Sequence, residues 1–150
     1  MLMLQKVYRF LSFRDRSEKE IQDYLKRKID NLEQLKQIIN QLKEQGLIDD
    51  EKFAKEWVQS RRRKYGLLRI KQELVQKGIY RETINRIMNH ELRITGEEKF
   101  AQKALERKIK IWKNLDQIEF RKKATDFLAR KGFEYEVAKN LTYRHYYEFI

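Results

Sequence analysis

Cysteine and proline are both absent from the 150 residues, glycine occurs five times and histidine twice. Without cysteine there are no disulfides, thiolate metal sites or cysteine nucleophiles, which fits a reducing compartment. Without proline and with so little glycine, no flexible linker can be placed, and strands joined by tight turns would lack their usual turn residues. Helices are favoured. No apolar run approaches the roughly 18 residues that a membrane span requires. The opening Met1-Leu2-Met3-Leu4 has neither the basic start nor the long apolar core of a signal peptide. A soluble, cytoplasmic protein without membrane contact is therefore expected. His90 and His145 stand in unrelated contexts, no His/Asp/Glu set has metal-ligand spacing, and no phosphate-cradling glycine loop is present. Asp49-Asp50 looks like a carboxylate pair, but it falls at a helix start, where capping accounts for it. The expectation is a chain with no active site, no cofactor and no metal.

What is present is charge and apolar residues. Charged residues make up 39% and hydrophobic ones 41%, with 12% aromatic. That is enough apolar content for a core, and a charge load suited to a thin molecule whose residues mostly lie near the surface. The net charge of +12 is uneven. Residues 1–54 are nearly neutral, with eleven basic and ten acidic side chains. Residues 55–77 hold eight basic and two acidic, a net of +6, and 99–131 hold eleven and four, a net of +7. Residues 78–98 and 132–150 each come to −1. Two concentrated basic blocks suit a polyanion contact; a solvated basic face is the plainer alternative.

Apolar residues recur at helical spacing along the whole chain, as in Leu32, Leu35, Ile38, Ile39 and Leu42, or Phe53, Ala54, Trp57 and Val58. Ser17-Glu18-Lys19-Glu20 and Thr95-Gly96-Glu97-Glu98 have the form of capping boxes, and Asp116-Gln117-Ile118-Glu119 is a variant with aspartate as cap. Asp49 or Asp50 can cap the helix holding Phe53. All five glycines fall at helix boundaries, and Gly46, Gly78 and Gly132 each follow a long helix, where a left-handed stop is expected. The spacing Leu25, Lys28, Leu35, Ile38 recurs as Leu74, Lys77, Ile84, Ile87 and again as Leu128, Lys131, Ala138, Leu141. Phe53-Ala54-x-x-Trp57-Val58 likewise matches Phe100-Ala101-x-x-Ala104-Leu105, with Leu4, Val7 and Tyr8 as the first unit's stripe. The fold class is all-α: three tandem three-helix repeats, at about 1–48, 49–94 and 95–150, forming an elongated, curved array. One such unit buries little alone, so neighbours must stack.

These repeats carry a resemblance to the RecX family. Its opening signature, R-x-R-S-x-x-E-I/L-x-x-x-L, is met by Arg14-Asp15-Arg16-Ser17, Glu20-Ile21 and Leu25. The longer middle signature is similar to Gly46-Leu47-Ile48-Asp49-Asp50-Glu51-Lys52-Phe53-Ala54-Lys55-Glu56-Trp57-Val58. It continues through Arg61-Arg62-Arg63-Lys64-Tyr65-Gly66, Ile70, Glu73-Leu74 and Lys77-Gly78-Ile79. Phe127-Leu128-Ala129-Arg130-Lys131-Gly132-Phe133 looks like the family's closing unit. One departure is clear: unit one has Lys28-Ile29-Asp30 where the others have Lys-Gly-Ile or Lys-Gly-Phe, so its turn is expected to differ. The resemblance implies a non-enzymatic negative modulator of the RecA recombinase. It would act as a monomer on the RecA filament and its single-stranded DNA, touching duplex DNA only non-specifically, and limit filament growth, ATP hydrolysis and strand exchange. A stand-alone helical DNA-binding protein independent of RecA is the alternative, since basic three-helix units resemble helix-turn-helix modules. A purely protein-binding helical repeat is a third reading.

The candidate contacts to nucleic acid or filament are Arg61, Arg62, Arg63, Lys64, Arg69 and Lys71 in the first block. In the second they are Arg107, Lys108, Lys110, Arg121, Lys122, Lys123, Arg130 and Lys131, with Lys113 beside them. Four consecutive basic residues point around most of a helix, so at least one of 61–64 is expected to serve a local structural pair. Replacing Arg61, Arg62 and Arg63 together by alanine is expected to leave helicity intact while weakening DNA binding and RecA inhibition. Arg14 and Arg16 can hold Asp15 or Glu20, or meet a partner. Tyr65, Tyr143, Tyr146 and Tyr147 lie near basic residues and could stack on bases, although packing against a helix is commoner. Trp57 and Trp112 read most simply as core.

Overall fold

The computed structural model describes residues 2–94 and 96–148, with only the backbone of Ile94, His145, Tyr147 and Glu148. Among the described residues there are nine helices and no strand. In order they are α1 (Leu2–Ser12), α2 (Glu18–Lys26), α3 (Leu32–Glu44), α4 (Asp50–Arg61), α5 (Leu67–Gln76), α6 (Arg81–Ile94), α7 (Glu98–Trp112), α8 (Gln117–Arg130) and α9 (Tyr135–Glu148). The starts follow the chemistry of their caps. Ser17 Oγ accepts from the Glu20 N–H while Glu20 accepts from the Ser17 N–H, which closes the capping box of α2. Asn31, Asp49 and Asp116 cap α3, α4 and α8. The box expected at residues 95–98 rests on Thr95, which lies outside the described residues. Glu97, at the N-cap of α7, makes no capping bond to its own helix.

Each set of three helices closes its own core. Val7, Ile21, Leu25, Ile38, Ile39 and Leu42 pack together in the first, and Phe53, Val58, Ile70, Leu74, Ile84 and Ile87 in the second. In the third the core is divided: Ala101, Leu128, Phe133, Ala138 and Leu141 form one cluster, and Leu105, Ile109, Phe120 and Ala124 another. The repeated leucines Leu25, Leu74 and Leu128 are all fully buried. Gly78 and Gly132 take φ of +78° and +92° after α5 and α8, and Ile79 and Phe133 then donate N–H to the Leu74 and Leu128 carbonyls. Unit one lacks that glycine, and its turn is shorter. Ile29 N–H bonds the Leu25 carbonyl directly, and Ile29 itself fills the core position one residue early.

The exposed area, 10324 Å², exceeds the about 8,200 Å² expected for a compact monomer of this mass. The chain is therefore extended, as tandem stacking requires. The two joints between units share a construction. At the first, the Glu18 N–H, at the start of α2, donates to Asp50 at the start of α4 (2.9 Å). At the second, the Leu67 N–H, at the start of α5, donates to Glu97 at the start of α7 (2.5 Å). Each unit's first helix thus supplies a carboxylate to the open N-terminus of the preceding unit's second helix, where the helix dipole favours negative charge. Beside this, the glycine turn after each second helix lies against the start of the previous one. A Cβ on Gly78 would stand 2.7 Å from the Lys19 side chain, and one on Gly132 2.4 Å from Arg69 Cβ. At the second joint the backbones also bond, Gly66 N–H to the Lys131 carbonyl (2.8 Å) and Leu68 N–H to the Gly132 carbonyl (3.1 Å). A Cβ on Gly66 would come within 2.3 Å of the Gly132 and Phe133 backbone.

Candidate nucleic-acid interface

The second joint brings the two basic blocks of the sequence together. Tyr65 lies just before α5, its ring packed on the second core. The Arg69 guanidinium sits 3.8 Å from its centroid, Arg61 4.4 Å away, and Lys131 Nζ, from the third unit, 5.2 Å away. Lys131 also lies 5.7 Å from the Phe127 ring, and Lys108 of α7 approaches the same ring at 5.7 Å. In the other direction Arg61 stands 5.6 Å from the Trp57 ring, with Lys77 at 5.1 Å and Arg14 of the first unit at 5.8 Å. One band of cations interleaved with aromatic rings therefore runs from Lys108 through Lys131, Arg69, Arg61 and Lys77 to Arg14. Each cation is held by a ring quadrupole.

Two carboxylates thread the band and fix it. Glu73 accepts from Arg61 (2.6 Å) and from the Trp57 indole N–H (2.8 Å), with Arg69 3.6 Å away. Burial pushes its carboxyl up, but the hydrogen bonds from Arg61 and Trp57 outweigh it and leave the group below the usual range. Glu20 accepts from Arg14 (2.5 Å) and Lys77 (2.7 Å), which joins units one and two. Burial raises it as well, and the bonds from Arg14, Lys77 and the Ser17 N–H prevail, lowering it to about 2. Six cations face two carboxylates along the band, so it stays strongly positive.

The remaining candidates divide by environment. Arg62 is 3% exposed, paired with Glu91 at 2.6 Å, bonded to the Gly96 carbonyl and set 4.2 Å from the Phe100 ring. Like Arg61 with Glu73, it serves a structural pair, here a buried one between α4, α6 and the start of the third unit. Arg63, Lys64 and Lys71 are exposed, as are Arg107, Lys110, Lys122 and Lys123. Arg121 lies 3.7 Å from the Tyr143 ring, and Arg130 donates to the Asp126 carbonyl. Of the flanking arginines, Arg14 binds Glu20, and Arg16 sits 4.1 Å from the Phe10 ring. The side chains of Tyr147 and His145 are not among those described.

Sequence reasoning missed Lys77 as a member of the band, and missed Asp50 and Glu97 as joint residues. A signal for the first was available in the repeat itself. Lys28, Lys77 and Lys131 recur at the same offset, and each lies over a ring, that of Tyr24, Trp57 and Tyr65 respectively. Glu97 is buried and bonds both the Leu67 and Glu134 N–H groups. Burial raises its carboxyl above the ordinary range despite those two donors. Asp50 is raised in the same way, by burial against the opposing Glu18 N–H bond. Among the described residues no group of three or more His, Cys, Asp or Glu could hold a metal, and no helix is long and apolar enough to cross a membrane.

Comparison with known proteins agrees with this architecture. Residues 4–31 match the first three-helix domain of RecX, 49–88 the second and 98–141 the third. A "Regulatory protein RecX" of Finegoldia magna is 35% identical over 140 residues, covering 89% of this chain and 66% of the relative. One of Listeria welshimeri is 35% identical over 141 residues, 91% of this chain and 51% of the relative. The chain thus spans between half and two thirds of these relatives' length. A crystal structure of regulatory protein RecX superposes with a TM-score of 0.77 at 26% identity, over 89% of this chain and 68% of that one. The RecX structure from Lactobacillus salivarius shares the fold, with a TM-score of 0.82 at 21% identity over 95% of this chain and 92% of its own. The three domains, in order along most of the sequence, and the relatives at this identity place the chain in the RecX family.

Proposed function

We propose that this protein is a negative modulator of the RecA recombinase, binding the RecA–single-stranded DNA filament and limiting its growth, ATP hydrolysis and strand exchange. The observation that carries the reading is the band of cations and rings crossing both joints. It joins Lys108 and Lys131 of the second basic block to Arg61 and Arg69 of the first, and reaches Lys77 and Arg14. An extended array with repeats near 1–48, 49–94 and 95–150 can bridge neighbouring protomers while its band follows a phosphate backbone. The relatives' name, regulatory protein RecX, supports the regulatory part. Arg63, Lys64, Lys71, Arg107, Lys110, Arg121, Lys122, Lys123 and Arg130 add to the same positive field. Arg62 does not enter this contact set, because its guanidinium is spent inside the protein. The rings hold the guanidiniums, and the cations over Tyr65 compete with a base for its faces. Phosphate attraction therefore carries the binding, more than stacking does.

The test is the salt dependence of oligo-dT binding. Each phosphate neutralised contributes about −0.7 to the slope of log K against log salt for single strands. Replacing both Arg69 and Lys131 by alanine should shrink the slope by about 1.4 and weaken RecA inhibition in parallel. An unchanged slope would remove the band from the mechanism. Weakened binding to a specific duplex, without any effect on RecA, would favour the stand-alone DNA-binding reading.

A further inference from the structure

A cavity of about 440 Å³ lies at the turn between α7 and α8, against the second of the third unit's two clusters, walled by Ile109, Trp112, Leu115, Phe120 and Tyr146, with Lys110 and Lys113 also lining it. Its aromatic walls are set by their neighbours. Trp112 packs edge-on against Phe120 (6.4 Å) and Phe127 (5.7 Å), and Phe120 lies 6.0 Å from Tyr146. The same two helices expose Ile111 and Ile118, 70% and 80% accessible. Lys110 and Lys113 are both exposed, and among the described residues no carboxylate lines the cavity.

We propose that this cavity is a docking site for an acidic protein segment that inserts one aromatic or large aliphatic side chain between Trp112, Phe120 and Tyr146. Its flanking carboxylates would meet Lys110 and Lys113. A volume in the range of small-ligand pockets accepts such a side chain, with a few polar groups at the edge to orient it. The walls decide between a side chain and a nucleobase. A base carries several donors and acceptors on its edge, and these apolar walls would leave most of them unpaired, a cost of about 1–3 kcal/mol for each buried group. An apolar side chain loses nothing there. The positive charge of the surrounding block selects acidic neighbours for it. Trp112 touches Phe127, the ring shared by Lys108 and Lys131. The site therefore adjoins the cationic band without using it, and one molecule can hold a nucleic-acid strand and a partner protein together. The proposal stands apart from the identity of the filament partner.

The experiment uses the full chain and a short fluorescein-labelled peptide of Asp, Glu and Ser with one central Phe, read by anisotropy at physiological salt. Saturable binding is expected. Changing the peptide's Phe to Ala should weaken it about tenfold, as burial of one aromatic side chain implies. Lys110→Glu with Lys113→Glu, both at exposed positions, should weaken it by a similar factor. Leu115→Trp, which crowds the cavity, should weaken it while the Lys-retaining rim is intact. Equal affinity of the Phe and Ala peptides would overturn the proposal, because charge alone would then explain binding. Displacement of the peptide by oligo-dT in proportion to occupancy would overturn it in favour of a nucleic-acid occupant. Either failure leaves the cationic band to be judged by its own Arg69 and Lys131 variants.

Discussion

Replacing Arg62 by alanine should damage the fold, whereas replacing its neighbour Arg63 should not. Arg62 is 3% exposed and its guanidinium meets Glu91, the Gly96 carbonyl and the Phe100 ring. Removing one partner of a buried pair costs about 3–5 kcal/mol. The Glu91 side chain is 15% exposed and also accepts from Gln59 (2.8 Å), so part of its charge stays compensated. Loss of the donor to Gly96 restores about 1 kcal/mol of cost. A net loss of about 3 kcal/mol follows, equivalent to a fall in melting temperature of about 6–12 °C for a chain of this length. Arg63 is exposed, and its change to alanine should stay within about 0.5 kcal/mol. Thermal melts followed by far-UV circular dichroism separate the two. A melting temperature for Arg62→Ala equal to the wild type would refute the reasoning. On this reasoning the triple change to alanine at 61, 62 and 63, expected from the sequence to leave helicity intact, mixes a stability loss with a binding loss.

Gly66→Ala should open the second joint, since its Cβ would meet the backbone of Gly132 and Phe133. A destabilisation of about 2–3 kcal/mol is expected, against about 1 kcal/mol for Gly46→Ala, where a left-handed φ is strained but nothing stands within 4 Å. Limited proteolysis between the second and third units reports the difference. The carboxylates give opposite pH signatures. Glu20 is lowered, so its contribution is present above its ordinary value of 4.5 and is lost as pH falls through about 2. Glu20→Gln should therefore cost about 1–2 kcal/mol near neutral pH, after allowance for solvent screening at a site that keeps some contact with water, and almost nothing at strongly acid pH. Glu97 is raised, so its favourable contribution is full below the ordinary carboxylate range and is lost as pH rises through its higher folded value. Glu97→Gln should compare best with the wild type at neutral pH and fall behind it on acidification, as melts across that range would show.

The fold was legible because its signals are local and repeated. The offsets joining Leu25, Leu74 and Leu128 to their lysines and third-helix stripes need no tertiary knowledge, and the caps at Ser17, Asp49 and Asp116 act within one helical turn. The departure at Ile29 could also be seen as a missing glycine. Less legible was everything that passes between units. Asp50 sits beside a true cap and Glu97 inside an apparent capping box, so both look local until the neighbouring helix start is seen to need them. Arg61 and Lys131 are seventy residues apart in sequence and share a ring only because Gly66 and Gly132 let two backbones touch. Composition located two basic blocks; it could not show that they form one surface, or that Arg62 is withdrawn from it.

The most direct test of the central claim is single-strand-dependent ATP hydrolysis by a cognate RecA with this protein titrated in. Inhibition at well below one molecule per RecA, relieved in the variant lacking Arg69 and Lys131, is the result the account predicts. Full hydrolysis even at excess protein, with oligo-dT binding retained, would contradict it.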